Sequence, residues 1–138
     1  MTLREPSKLV EFDADAAVEE LLERAGEELL IVAEYTPEEY GLLYVGEGIE
    51  AMYPSMDEIE ATADSIHEYI DLDFRERELF LDLYPTIDDV DGLITVGDTR
   101  CVVRVVTPQE EGLYFSVPNE LSATELLQHV VDIIEAST

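Results

Sequence analysis

The chain is 138 residues long and carries 34 acidic residues against seven basic ones, a formal charge of −27. With 46% hydrophobic residues, set at periodic positions, intrinsic disorder is excluded and the acids read as a shell around one ordinary core. The same shell opposes DNA and RNA phosphates, which need a basic patch.

Lys8 is the only lysine, beside six arginines. The self-repulsion of such a shell reaches about 8 Å in ordinary cytoplasm but only about 3 Å in 1 M salt. The composition therefore predicts a protein of a salt-in halophile, a haloarchaeon, with an acidic partner-binding protein of an ordinary organism as the alternative. Residues 1–9 lack the apolar stretch of a secretory signal, and no apolar run approaches the roughly 18 residues of a membrane span. A cytoplasmic protein without membrane partners is expected. Cys101 stands alone, which excludes an intrachain disulfide and a cysteine-based zinc site.

In chain order, residues 1–12 read as a tail with a short extended piece at Leu9-Val10, and residues 13–138 as one domain. From Asp13, the spacing of Ala14, Ala17, Val18, Leu21, Leu22 and Ala25 makes one apolar helical stripe, and Gly26 is placed to end it. Residues 29–45 read as a hairpin around Thr36-Pro37-Glu38-Glu39, with Pro37 at the second turn position. Pairing Tyr35 with Tyr40 sets Ala33 against Leu42 and Ile31 against Tyr44. That register gathers Leu29, Ile31, Ala33, Tyr35, Tyr40, Leu42 and Tyr44 on one face and Leu30, Val32, Leu43 and Val45 on the other. Both faces are apolar, so both need cover.

Gly46-Glu47-Gly48-Ile49-Glu50-Ala51 matches the G-x-G-x-x-A dinucleotide pattern in letters only. It follows a hairpin arm, puts glutamates where a pyrophosphate would sit, and is followed by Pro54. A loop with one helical turn is expected there. Ser55 and Glu58 form a capping box for a helix bearing Met56, Ile59, Ala63, Ile66 and Ile70. Asp71-Leu72-Asp73 is expected to break it, with residues 74–84 forming a second helix or, as the alternative, a strand. A loop over residues 85–92 precedes a second hairpin, residues 93–96 and 101–106 around Gly97-Asp98, and then a strand at 113–117. Ser122 and Glu125 cap a last helix.

The predicted class is α+β: an antiparallel sheet of about five strands, two hairpin units sandwiched between terminal helices and a middle helical crossover. This order resembles the roadblock and profilin-like architecture. Residues 21–53 also resemble the start of a family of small acidic haloarchaeal proteins of unknown function, through Ala25-Gly26, Glu34-Tyr35, Tyr40 to Tyr44, and Tyr53. That resemblance implies no activity.

Catalytic chemistry finds little support. His67 and His129 flank apolar helix stripes and read as boundary residues, and Cys101 reads as a small core residue. Asp88, Asp89 and Asp91 are the densest carboxylate group but miss the EF-hand register. Arg104 interrupts an apolar strand face with Val102 and Val106, as an arginine paired with a carboxylate or as a contact to an anion or partner. Tyr35, Tyr40, Tyr44 and Tyr114 form a candidate aromatic patch. No metal or cofactor is expected. The leading expectation is a non-enzymatic interaction or regulatory module, forming a homodimer through a helix or sheet face. Its rival is a small-ligand sensor with a pocket between sheet and middle helix, for which a cavity of ~300 Å³ or more is the mark.

Overall fold

Local signals start the helices. Asp13 accepts from the Ala16 N–H at the head of α1, Ala14–Ala25, and Ser122 accepts from the Glu125 N–H at the head of α3, Ala123–Ala136. A computed structural model describes residues 3–137, apart from the side chain of Glu50. Met1, Thr2 and Thr138, at the outer ends of the expected tail and domain, lie outside the described residues.

The strands are β1 (Leu3–Arg4), β2 (Ile31–Tyr35), β3 (Tyr40–Val45), β4 (Gly92–Val96), β5 (Arg100–Val106) and β6 (Gly112–Pro118), and the middle helix is α2 (Met56–Leu83). They form one six-stranded antiparallel sheet in the order β1-β3-β2-β6-β5-β4. The class is the expected one, with one strand more. The extra strand is β1, pairing Leu3 with Val45 and Arg4 with Tyr44. It lies upstream of Leu9-Val10 because side chains already hold the backbone there. The Ser7 N–H donates to Asp15, and those of Lys8 and Val10 donate to the Glu34 carboxylate.

The hairpin register is the expected one only next to the turn. Tyr35 faces Tyr40 and Ala33 faces Leu42, but a β-bulge at Val32/Ala33 then pairs Val32 with Tyr44 and Ile31 with Val45. One extra residue in a strand moves everything beyond it to the opposite face. Tyr44 therefore packs with Val32 under α1 and α3, while Val45 joins Ile49 and Ile59 on the α2 side. Leu29 and Leu30, which precede β2, are likewise exchanged between faces.

The expected break at residues 71–73 is absent, and α2 runs 28 residues without interruption. The segment holds neither glycine nor proline. Asp71 is paired with Arg75 one turn on, at 3.2 Å, and Asp73 is buried against the sheet. The helix ends at Leu83, two residues before Pro85, as the proline requires.

On one face of the sheet, α1 and α3 close a continuous core that includes Val18, Leu21, Val103, Phe115 and Val130, all fully buried. On the other, α2 makes contact at two separate places. One is a cluster of Leu30, Val45, Ile49 and Ile59; the second is a cluster of Tyr35, Ile70, Phe74 and Val106.

Candidate functional site

Between those two clusters the inward positions of α2 are small. Thr62 and Ala63 stand over Ala33 and Ser116 of the sheet, and the helix bridges a cavity of about 280 Å³. This is close to the size of small-ligand sites, roughly 300 Å³ upward. Leu30, Ile31, Leu42, Ile49, Ile70 and Val102 are among the apolar residues of its wall.

Of the residues singled out in the sequence, Tyr35, Tyr40 and Tyr114 line this cavity. Tyr44 does not, because the bulge turns it to the opposite face. Arg104 does not either. Its Nε donates to Asp73 Oδ2 at 3.3 Å and a terminal nitrogen to Thr95 Oγ1 at 2.6 Å. The Tyr35 hydroxyl donates to the same Asp73 oxygen at 3.1 Å. Arg104 is thus paired with a carboxylate, and Tyr35, which does line the cavity, shares that Asp73 with it. Gly112 permits it, since any Cβ there would strike the Tyr35 ring.

Burial governs the ionisation of these groups. It raises the Asp73 carboxyl in spite of the opposing Arg104 charge, and raises the Tyr35 phenol well above its usual value, with Asp73 adding to the effect. Tyr114 is raised by burial and then by neighbouring Tyr53. Tyr40, whose hydroxyl donates to Asp64, is pushed up to about 12 by burial first and that bond second. His67 is placed by the Thr36 carbonyl at 2.9 Å and by the Tyr40 ring, with centroids 5.2 Å apart.

Three residues stand out that the sequence left in the background. Tyr53 and Thr62 line the cavity, and their hydroxyls, like that of Tyr114, have no hydrogen-bond partner among the described residues. Arg100 also lines it, donating from Nε to Ser116 Oγ at 3.1 Å and from a terminal nitrogen to the carbonyls of Ser116 and Glu28. Strand alternation places Arg100 and Arg104 on the same face of β5. Only the position of Asp73 decides which of them is neutralised.

Other candidates are quiet. Cys101 is buried and its thiol donates to Asn119 Oδ1. Asp89 of the acidic loop pairs with Arg77. Among the described residues, no group of three or more His, Cys, Asp or Glu side chains could hold a metal ion. A wider hollow of about 720 Å³ sets Lys8 among Glu5, Glu38 and Glu39, but its Glu34 carboxylate already accepts from Ser7 Oγ and the Lys8 and Val10 amides. No helix among the described residues is long and apolar enough to cross a membrane.

A sheet carrying two terminal helices on one face and one long helix on the other is the roadblock fold. The structure is similar to Myxococcus xanthus MglB, with a TM-score of 0.56 at 10% identity over 88% of each chain. It is also similar to a Roadblock/LC7 domain from Streptomyces avermitilis, with a TM-score of 0.58 at 12% identity over 88% of this chain and 92% of that one. MglB in a tetrameric arrangement gives 0.52 at 12% identity, over 97% and 99% of the two chains. At sequence level, residues 15–136 match the family described as Domain of unknown function (DUF7522), and the chain belongs to it. Comparison with curated proteins finds no match.

Proposed function

We propose that this chain is a non-enzymatic interaction and regulatory module that works as a homodimer in the cytoplasm of a halophilic archaeon. In this reading residues 13–138 act as one domain, with residues 1–12 as its tail. The observation that carries it is a second apolar stripe on α2. Tyr69, Leu72, Leu79 and Leu83 recur at helical spacing on the side away from the sheet and are 69%, 43%, 50% and 57% exposed.

The C-terminal half of α2 lies over β5, whose neighbour is the edge strand β4, as the bond from Arg104 to Asp73 shows. That edge is undefended. Gly92-Leu93-Ile94-Thr95-Val96 has no charge and no proline, the usual means by which a free edge avoids pairing, and Val96 is 70% exposed. A helix stripe beside an open antiparallel edge is self-complementary under a two-fold axis, which makes a second copy the fitting occupant. A standard interface takes about 800 Å² per partner, roughly a tenth of the 7731 Å² surface. The tetrameric arrangement of one structural neighbour supports assembly through this fold.

Two copies of −27 repel each other, so assembly is expected only where salt screens them. Light scattering in molar KCl should find a dimer. Leu79→Glu should return it to a monomer while moving stability by no more than about 0.5 kcal/mol, because the side chain is at the surface. A wild-type monomer in molar KCl overturns the reading.

A further inference from the structure

We propose that the cavity under α2 is a binding site for a small amphiphilic carboxylate, an acid of about eight carbons in all, held at its head by Arg100. The argument begins with a count of ion pairs. Arg4, Arg24, Arg75, Arg77 and Arg104 each sit against a carboxylate. In a chain with 34 acids this is the default condition of an arginine. Arg100 is the exception among the described residues. It is half-buried and its donors go only to a hydroxyl and two carbonyls, all neutral.

Glu28 and Glu120 act on Arg100 from beyond ion-pair distance, and burial outweighs them, lowering its pKa. Two backbone carbonyls and Ser116 hold the guanidinium in place while leaving its charge uncancelled, and one terminal nitrogen is uncommitted. An arginine so fixed is an anion receptor in its charge and in its geometry.

The rest of the cavity selects what the anion is attached to. Its wall is aliphatic and aromatic, so a tail buried there gains about 0.8 kcal/mol per methylene. The free hydroxyls of Tyr53, Tyr114 and Thr62 supply donors without further charge. At about 30 Å³ of liquid volume per water-sized unit, 280 Å³ accommodates about nine or ten non-hydrogen atoms, the size of octanoate. A phosphate monoester fits worse, because one cation leaves its second charge unbalanced against an apolar wall. The void also has a cause in the sequence: Ala33, Thr62, Ala63 and Ser116 are small where two layers face each other.

The test is calorimetric titration of the full chain in molar KCl with linear carboxylates of increasing length, and with octanol. Saturable binding is expected, tightest near eight carbons and weaker for octanol. Arg100→Gln should weaken octanoate about ten- to a hundred-fold, the value of hydrogen bonds to a charged group, and leave octanol unchanged. Ala63→Leu, whose three added carbons take about a third of the void, should weaken both and move the best fit to a shorter chain. If Arg100→Gln does not fold, Tyr114→Phe decides alongside Ala63→Leu, since it removes one hydroxyl and should weaken octanoate several-fold at an unchanged thermal midpoint.

Absence of saturable heat overturns the proposal. So does octanol binding as tightly as octanoate, or octanoate affinity unchanged by Ala63→Leu. Running the monomeric Leu79→Glu chain alongside separates this site from the dimer reading, because retained binding there owes nothing to assembly.

Discussion

The two faces of this sheet are built from the same strands and have been put to different uses. On the α1/α3 face one continuous core covers the strands, and Val103, Leu113, Phe115 and Val117 are completely buried. On the α2 face the helix touches the sheet near each end of a gap and spans a void between. Adjacent residues of one strand thus meet different worlds: Val103 a packed interior, Val102 a cavity wall. Close packing concentrates stability on one side and frees the other for specificity.

The sharpest way to break that contrast is to truncate the neighbours in turn. Val103→Ala should cost about 2 kcal/mol, from two lost methyl groups and the hole they leave. Val102→Ala, which enlarges an existing void, should cost about half as much. Equal losses in urea unfolding would mean the two faces are packed alike. The opposite substitution sharpens the comparison. Ala17→Leu, on the filled face, should destabilise by about 1–3 kcal/mol through overpacking. Ala63→Leu has room and should leave the thermal midpoint unchanged or raised.

A smaller effect reads the cavity rim. Tyr40 ionises at about 12. Its folded value lies above the ordinary one, so the stability it lends is complete below pH about 10 and is lost as pH climbs through about 12. Tyr40→Phe should remove the phenolate absorbance that develops there, and Asp64→Asn should bring it to lower pH.

Much of this architecture is legible from local rules. The hairpin turn and the Ser55 and Ser122 caps depend on a few consecutive residues, and they read correctly. What fails are features set at a distance. The bulge exchanges Tyr44 and Val45 between faces, and β3 alone is apolar in either register. Asp71-Leu72-Asp73 looked like a break because two acids flank one leucine, yet Asp73 is satisfied by Tyr35 and Arg104, 38 residues before and 31 residues after it. Assuming that break also hid the outer stripe, since Tyr69 and Leu72 were separated from Leu79 and Leu83. The cavity left a faint signal in Thr62-Ala63, small residues between Ile59 and Ile66 on a helix otherwise ready to pack.

The continuity of α2 has one more consequence. Its first half roofs the proposed ligand chamber and its second half carries the proposed dimer seam, and no glycine or proline lies between Met56 and Leu83 to act as a joint. One unbroken helix about 42 Å long, at 1.5 Å per residue, thus touches both the chamber and the seam, which is the continuous physical link that coupling between them needs. By thermodynamic reciprocity, whatever factor the ligand contributes to pairing, pairing returns to the ligand.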